Sequence, residues 1–410
     1  MRVLYLTAEL PYPLTSGVLR HYYFLRELGR RHEITLVSLT ARDQVSPETI
    51  SALAPVTRQV HVFGAGRNNT RGEMTKQLLG PSIPRLLRRR RAMAEMSMAV
   101  RRLLRAQHFH LLFLSGKNTY AALDGLDDIP IVADCCDAAH VRLREELKDA
   151  PSLRRLWGTL QYRRVKSIEQ SITQRTPHVV FASERDRVCL LPDGGVVIPQ
   201  GVDFEFWCRQ APPARHNRLL FTGVMNYPPN HDAALRLCRT IFPQVQHQVA
   251  GSELVIAGRD PLPELVDAAR RQSNVTVTGI VPDLRPFLDQ AAVFVAPIRY
   301  ASGMQNKVLE AMAMQVPVVT TTAVAEGLQV GSDFAPVITA DDDASFAQAV
   351  IALLADKEER SRLAREGCAF VRRHFVWSRN AEKLERLWMK AAGLEGICEV
   401  PIYAETGRRA

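Results

Sequence analysis

The chain has 410 residues, of which 46% are hydrophobic and 23% charged, and its mean hydropathy is -0.10. These values are typical of globular proteins and exclude a disordered, collagen-like or membrane-spanning chain, and the length predicts two or three domains. The formal net charge of +10 is unevenly placed, since the first 200 residues hold 30 Lys and Arg against 19 Asp and Glu, and the rest hold 23 against 24. The basic half is therefore expected to meet an anionic surface, such as nucleic acid, acidic lipid or a phosphorylated substrate.

The seven cysteines include no C-x-x-C pair, so the sequence indicates neither a zinc site nor a redox dithiol. The short apolar run after Met1 predicts a buried strand rather than a secretory signal, and no stretch approaches the ~18 apolar residues of a membrane span. These features predict a cytoplasmic protein without a metal or a cofactor.

Short apolar runs alternate with longer amphipathic stretches, which is the pattern of parallel sheets with crossover helices. In the first half, the pattern predicts a helix at 19–31 and strands at 2–7, 33–39, 110–114, 129–134 and 178–182. The pattern breaks at 196–207, and a linker-like stretch follows from Gln210. The second half is predicted to contain strands at 218–222, 253–258, 275–278, 293–296 and 316–320, and helices at 231–238, 306–314, 344–354, 358–373 and 378–391. Two doubly wound α/β domains in series are the simplest architecture.

An arginine cluster extends from Arg85 to Arg105 and alternates with Leu and Met at near-helical spacing. It fits a basic amphipathic helix on an anionic membrane, and it equally fits a helix packed on the sheet with a solvated arginine face. Nucleic acid is disfavoured, because no aromatic residues are interleaved with the arginines and no base-reading motif is present.

The sequence contains neither a G-x-G-x-x-G motif after a strand nor a P-loop, which disfavours dehydrogenases and P-loop enzymes. The first predicted strand leads into a turn with Gly17, just before a helix. Such a turn can hold a phosphate or a sugar at the helix N-terminus, although a tight turn favours glycine in any case.

The strongest segment, 293–322, predicts a buried strand, a loop with Gly303, a helix from Asn306 and a second apolar strand. Arg299, Lys307 and the free amides at the helix start can cradle a diphosphate, and Glu310 can accept hydrogen bonds from a ribose diol. The alternative is a surface pair of Lys307 and Glu310, worth about 0.2–0.5 kcal/mol.

This segment resembles the donor-binding motif of GT-B glycosyltransferases, in particular the retaining enzymes of family 4, whose helix reads K-x-x-E-A-M-A-x-G-x-P-V-V. Lys307 matches, as do the residues at 310–313, 317–319 and 325–328. Further landmarks extend the resemblance along nearly the whole chain, at 197–203, 221–223, 255–259 and 279–283. The spacing also resembles bacterial sugar transferases associated with exopolysaccharide synthesis and exosortases.

The resemblance implies a GT-B fold in which two doubly wound Rossmann-like domains face a cleft. Residues 1–205 would form the acceptor-binding domain, 206–377 the nucleotide-sugar domain, 378–392 a helix that crosses back, and 393–410 an irregular tail. The residues expected to bind the donor are Gly17, Gly223, Arg259, Ile280, Val281, Arg299, Ser302, Gly303, Met304, Gln305, Lys307 and Glu310.

Within this set, the resemblance gives Glu310 the ribose. It implies that Lys307 and the amides of residues 303–305 bind the diphosphate, and that Ile280 and Val281 contact the base. Arg259 fits either a phosphate contact or an ordinary surface arginine.

Three departures from the family pattern alter these expectations. Ser302 stands eight residues before Glu310, where many relatives carry a first carboxylate, so Ser302 or backbone groups would have to contact the donor sugar. Gln315 stands where glycine is usual, and the segment 225–230 replaces a basic pair, so Lys307 and Arg299 would supply that charge.

Many relatives carry a histidine after the fifth strand of the first domain, where it lines the sugar site. In this chain Asp134, Asp137 and His140 compete for that role. Asp137 is favoured because a carboxylate just past the carboxyl end of a strand faces the cleft. The alternative is that it caps the next helix. Asp137, Lys307 and Glu310 are thus the predicted catalytic residues.

The predicted reaction moves a sugar from a nucleotide-diphosphate donor to a glycan or polyprenyl-linked acceptor with retention of configuration, by front-face displacement. The expected setting is cell-surface or exopolysaccharide synthesis in the cytoplasm, at the inner face of the cytoplasmic membrane, without nucleic acid. Ser302 and the missing histidine also fit a catalytically degenerate partner subunit. A nucleotide-sugar 2-epimerase is the other alternative, which the few histidines of the second domain disfavour.

Overall fold

The computed structural model describes residues 1–14, 18–40, 45–64, 83–148, 152–209, 217–300 and 303–395. Within these ranges the chain forms two α/β domains, each built on one parallel sheet. Strand runs such as Val3–Leu6 are buried at every position, because both faces of these sheets are covered.

The first sheet has seven strands in the order β3-β2-β1-β4-β5-β6-β7. Their bounds are β1 Arg2–Thr7, β2 Glu33–Thr40, β3 Gln59–Gly64, β4 Leu111–Ser115, β5 Ile131–Cys136, β6 Val179–Phe181 and β7 Val196–Val197. The second sheet has six strands in the order β10-β9-β8-β11-β12-β13. Their bounds are β8 Arg218–Thr222, β9 Glu253–Ala257, β10 Val275–Val277, β11 Val293–Ala296, β12 Val318–Thr320 and β13 Ile338–Thr339.

The helices of the first domain are α1 Leu19–Leu28, α2 Pro47–Leu53, α3 Ile83–Ala106, α4 Ala139–Lys148, α5 Ser152–Arg175 and α6 Glu184–Leu190, with a 3₁₀ helix at Lys117–Leu123. Those that follow are α7 Pro228–Arg236, α8 Phe242–Gln248, α9 Pro263–Arg270, α10 Arg285–Asp289, α11 Asn306–Ala313, α12 Thr322–Leu328, α13 Asp343–Ala355, α14 Lys357–His374 and α15 Trp377–Ala391. In each sheet the strand order reverses once, between β1 and β4 and between β8 and β11. Ligands of open α/β sheets bind at the carboxyl ends of the strands beside such a reversal.

The two domains are joined twice, by the chain segment after β7 and by the segment before α15. Val202 in the first connection pairs with Val376 in the second. The Trp377 ring stacks on Tyr23 at 4.7 Å, and Trp388 packs against Phe113. The last helix therefore packs on the first domain although the chain has just left the second.

The arginine cluster lies on α3, which packs on the first sheet through Ala92, Met96 and Val100. Arg88 and Arg91 on its outer side are exposed. The cluster is thus the outer face of a sheet-packed helix, and contact of that face with a membrane stays a prediction. No helix in the described ranges is long and apolar enough to cross a membrane.

Several elements differ from the expected pattern. The first helix ends at Leu28 rather than 31, where Gly29 approaches the Val56 carbonyl so closely that a Cβ atom would lie 2.2 Å from its oxygen. The helix expected at 231–238 instead continues through a π-helical turn, Leu237–Ile241, into α8. The helix α2 and the edge strands β3, β7 and β13 were not expected, because they are short or only half-buried and carry no clear alternation.

Candidate active site

The predicted diphosphate cradle lies at the carboxyl ends of β8 and β11, beside the reversal of strand order in the second sheet. Thr222 ends β8, and Gly223 follows it. Ala296 ends β11, and the loop after it leads through Gly303 to α11. Gly303 has a φ of 63°, a left-handed conformation that glycine adopts without a Cβ penalty. This geometry brings the amino-terminal end of α11 next to Gly223.

Lys307 extends from the first turn of α11 toward the end of β8. Its Nζ donates to Oδ1 of Asn230 and lies 5.1 Å from the centre of the Phe221 ring. A Cβ atom at Gly223 would lie 2.7 Å from Asn230 Nδ2 and 3.2 Å from this Nζ, so a side chain there would displace the Asn230 amide that holds Lys307. Burial of the ammonium lowers the pKa of Lys307 to about 7, and the nearby Glu310 opposes that shift.

Glu310 lies one turn further along α11, and burial of its carboxyl raises its pKa to about 7 against the opposing effect of Lys307. It lines a small cavity between the domains, together with Tyr23, Asn306 and Trp377. Lys307 and Glu310 are therefore not the exposed surface pair that was the alternative interpretation. Both side chains are half-buried and lie one turn apart on α11.

The loop before α11 presents its backbone to the same place. The Met304 side chain packs into the core of the second domain, and the Gln305 carbonyl accepts a hydrogen bond from the Val308 amide at 2.9 Å. Because the first amides of a helix have no partner within it, the amides of residues 303–305 and of the α11 start can serve as anion donors.

Asp134 lies within β5, and Asp137 and His140 follow it; of these three candidates, two are bound by partners in the interior. Asp134 is buried and forms an ion pair with Arg20 at 2.6 Å. His140 is buried and contacts the fully buried Glu169 at 2.5 Å. Asp137 alone keeps a half-buried side chain, exposed by 30%.

The two backbone amides at the start of α4 have acceptors other than Asp137. The amide of Ala138 donates a hydrogen bond to the Asp186 carboxylate at 3.1 Å, and the amide of Ala139 donates one to the Glu169 carboxylate at 2.8 Å. The Asp137 carboxylate accepts from Lys117 Nζ at 2.9 Å. The amides of Ala138 and Ala139 are thus bound by other carboxylates, and a role of Asp137 in the sugar site stays a prediction.

Lys117 follows the carboxyl end of β4 and joins Asp137 to the buried Glu169, whose Oε1 lies 2.8 Å from its Nζ. Burial opposes the charge on Lys117, but the two carboxylates outweigh it and hold the Lys117 pKa above its ordinary range. This arrangement holds the Asp137 carboxylate at the edge of the cleft.

The second domain also matches a known family, whereas no curated protein sequence matches the chain. Residues 216–356 match the family model of glycosyl transferases group 1. This match lies within the second domain and covers about a third of the chain.

Solved structures with the same architecture span nearly the whole chain. HepE from Anabaena, in complex with UDP and glucose, aligns with a TM-score of 0.65 and 14% identity over 95% of this chain and 100% of its own. Sucrose-phosphate synthase from Thermosynechococcus elongatus aligns with a TM-score of 0.69 and 15% identity over 95% and 99%. A variant of TarM from S. aureus aligns with a TM-score of 0.65 and 10% identity over 95% and 100%. The chain has the GT-B fold of glycosyltransferases, which confirms the predicted fold class.

Other predicted donor residues of the second domain are more exposed or paired with other side chains. Arg299 forms an ion pair with Asp232 at 2.5 Å, and Arg259 is half-exposed. Ile280 is 80% exposed, and Val281 is half-buried. A phosphate role for the two arginines and a base contact for the 280–281 pair stay predictions.

Gly17 and Ser302 lie outside the described residues. Two residues that the sequence did not single out, Lys117 and Asn230, contact the predicted catalytic residues. Both follow strands beside a reversal of strand order, β4 and β8, and that position is the signal that could have found them. In the part of the chain that the structure describes, no group of three or more His, Cys, Asp or Glu is arranged to hold a metal ion.

Proposed function

We propose that the chain transfers a sugar from a nucleoside-diphosphate sugar to a glycan or polyprenyl-linked acceptor, with retention of configuration. The observation that carries the proposal is the desolvated Lys307 ammonium beside Gly223 and the amino-terminal end of α11. A single cation and a set of free amides at a glycine-lined strand end suit a diphosphate. The solved HepE complexes with UDP and UDP-glucose support a donor of this class.

Glu310 and Asn306 would hold the nucleoside. The Glu310 carboxylate can accept both hydroxyls of a ribose diol. Asn306 Oδ1 is buried and lacks a hydrogen-bond partner in the described part of the chain, so it offers a further acceptor at the same cavity.

The donor sugar would then project from the diphosphate toward the first domain, where Asp137 stands. A Cβ atom at Gly303 would lie 3.2 Å from the Asp137 Cβ, so the donor loop and this carboxylate share one site. Asp137, with its charge fixed by Lys117, would accept hydrogen bonds from sugar hydroxyls and favour the positive charge that develops at the anomeric carbon.

In the proposed reaction, the bond between the anomeric carbon and the diphosphate oxygen breaks while the acceptor oxygen attacks from the same face. The acceptor proton passes to the leaving diphosphate. Lys307 and the amides before α11 stabilise the charge that accumulates on this leaving group, which is charge stabilisation in a preorganised site.

The acceptor would be held by the first domain. Its half of the sequence carries the whole excess of positive charge, which favours a phosphate-bearing or membrane-embedded acceptor, such as a polyprenyl-diphosphate glycan. A cell-surface or exopolysaccharide pathway and a position at the inner face of the cytoplasmic membrane follow from that acceptor.

A panel of nucleoside diphosphates, tested by calorimetry, should contain at least one ligand, and its sugar derivative should be consumed only when an acceptor is present. Lys307→Met and Glu310→Gln should each lower donor turnover by about 10²-fold, whereas Lys357→Met, on an exposed part of α14, should not. The anomeric configuration of the product, read by NMR, tests retention.

Three outcomes would contradict the proposal. Unchanged turnover in both active-site variants would place the site elsewhere. Nucleotide binding without transfer or hydrolysis across a donor panel would indicate a degenerate partner subunit. Epimerised donor formed without acceptor would indicate an epimerase.

A further inference from the structure

An apolar and basic surface on α5 has no role in the reaction described above. Leu156, Trp157 and Leu160 are exposed by 64%, 73% and 53%, although large apolar side chains on helices usually face a core. Arg163 and Arg164 follow on the same helix and are exposed as well. We name these five residues the α5 patch.

The α5 patch occupies a single face of its helix. Successive helical residues are offset by about 100°, so the five side chains fall within about a third of the helix circumference. The opposite side is the packed one. Gly158 faces α4 so closely that a Cβ atom would lie 2.2 Å from the Leu147 side chain, and Glu169 and Ile172 are buried. The patch therefore points directly away from the domain.

The order of residues along this face is informative. The apolar side chains come first, near the end of the helix that adjoins α4, and the arginines follow about 10 Å further along the axis. Arginine can lay its stem along apolar groups and keep its charged end at the polar surface, so a helix lying flat could insert the apolar side chains and leave both guanidinium groups at the lipid phosphates. Tryptophan prefers that interface because its ring is apolar and its N–H needs a polar partner.

The charge of this helix complements an anionic surface. Between Arg155 and Arg175 its only acidic residue is Glu169, which is buried and paired with Lys117 and His140. The α3 helix, which bears the arginine cluster, packs with α5 around the same 3₁₀ helix. These two basic helices thus pack on the same side of the first sheet.

We propose that the α5 patch docks the protein on an anionic lipid bilayer, with Leu156, Trp157 and Leu160 inserted at the interface and the two arginines on lipid phosphates. This inference rests on the proposed membrane-linked acceptor and assigns the surface that reaches it. The exposed apolar residues favour a bilayer over a nucleic acid, which would require stacking aromatics along a basic groove.

Trp157 supplies a direct probe, because Trp377 and Trp388 are buried and Trp207 is half-buried. Vesicles of phosphatidylcholine with about 30% phosphatidylglycerol carry a negative surface charge. They should shift the tryptophan emission of the full chain to the blue, and vesicles of pure phosphatidylcholine should not. Brominated lipids should quench this emission. Trp157→Phe should remove the signal while vesicle flotation still shows binding.

The binding variants separate the α5 patch from general basicity. Leu156→Ser, Trp157→Ser and Leu160→Ser together should weaken vesicle binding at least about tenfold, and Arg163→Glu with Arg164→Glu should weaken it most at low salt. Arg270→Glu with Arg271→Glu changes the net charge equally on the second domain and should leave binding intact. Circular dichroism and thermal unfolding establish that each variant is folded.

Wild-type protein that ignores anionic vesicles would overturn the inference, as would triple-serine binding equal to wild type. A concentration-dependent dimer that the triple-serine variant abolishes, without vesicle binding, would show that the patch is an interface between copies of this chain. Vesicle flotation needs no sugar donor, so a failure to bind vesicles is distinct from a failure of the proposed sugar transfer. Nucleotide binding by the same variants reports whether the proposed donor site is intact.

Discussion

Gly303 and Asp137 meet where the two domains face each other. Gly303 has a φ of 63°, and a Cβ atom at that position would lie 3.2 Å from the Asp137 Cβ. The loop that carries the proposed donor-binding amides can approach Asp137 this closely because it presents no side chain there. The juxtaposition places the proposed diphosphate and sugar contacts within one cleft.

Gly303→Ala should therefore lower sugar transfer at least about tenfold, because a methyl group displaces the loop from its position against Asp137. The left-handed backbone adds a stability cost of about 1 kcal/mol. Steady-state transfer rates and the free energy of unfolding measure the two effects separately.

Gly331→Ala is the matched control. Gly331 has a φ of 58°, but nothing lies within 4 Å of where its Cβ atom would be. The control carries the backbone strain without the interdomain contact, so it should lose stability and keep its transfer rate. Equal losses of activity in the two variants would refute the steric explanation.

Gln315, just after α11, also has a left-handed backbone, with a φ of 54°. It is the position where similar transferases carry glycine. A residue with a side chain costs about 1–2 kcal/mol in this conformation. Glycine avoids that cost, but its greater flexibility in the unfolded chain offsets part of the gain. We expect Gln315→Gly to raise the free energy of unfolding by about 0.5–1 kcal/mol, measured by denaturant titration.

Gln329→Gly, near the end of α12, serves as a control because Gln329 has an ordinary φ of -63°. It should destabilise the protein. A destabilised Gln315→Gly variant would show that the Gln315 side chain contributes more than its backbone costs.

A comparison of the predicted and observed strands shows which of them a sequence pattern can predict. Strands such as Arg2–Thr7, Arg218–Thr222 and Val293–Ala296 were predicted to the residue, because burial on both faces leaves a continuous apolar run. The half-buried β3 and the two-residue β7 have no continuous apolar run of this kind. A short edge strand depends on its neighbour more than on its own residues.

The candidate site was predictable in part for a similar reason. Lys307 and Glu310 belong to one helical segment whose spacing is visible in the chain. Their surroundings are set by distant residues, since Asn230 lies 77 positions from Lys307 and Lys117 lies 20 positions from Asp137. Contacts of this kind depend on how the strand ends meet, which periodicity does not specify.

Lys117→Met tests the ion cluster behind Asp137. Without the ammonium, Asp137 and the buried Glu169 lose their shared cation, which should cost about 3 kcal/mol of stability near neutral pH. Transfer should fall as well, because the Asp137 carboxylate is no longer held. Denaturant unfolding and initial rates measure these effects, and Lys166→Met, on the surface of α5, is the control.

The stability loss of Lys117→Met should depend on pH in a defined direction. Burial raises the pKa of Glu169, but hydrogen bonds from His140 and the charge of Lys117 outweigh it, so the pKa lies below its ordinary value. A carboxyl whose pKa is lowered in the folded state stabilises the fold at pH values above its pKa in the unfolded chain. This stabilisation is lost as the pH falls through its pKa in the folded state. The difference between wild type and Lys117→Met should shrink as the pH is lowered below about 4.5; a constant difference would contradict the role of the ion pair.

The affinity for UDP should fall as the pH rises from about 7.5 to 8.5 if Lys307 binds the diphosphate. Burial lowers the pKa of free Lys307 to about 7, and a bound diphosphate raises it again because an opposite charge favours the ammonium. Binding in this range therefore takes up a proton, and the dissociation constant should rise by up to about tenfold per pH unit. Calorimetry in buffers of different ionisation enthalpy measures both the affinity and the proton.

Lys307→Arg is the control, because a guanidinium stays charged throughout this range and should give a nearly flat pH profile. Glu310 does not produce the slope, since its pKa is also about 7 and its carboxyl is largely ionised at the upper end of the range. Equal slopes for wild type and Lys307→Arg, or no proton uptake by wild type, would show that another group holds the diphosphate.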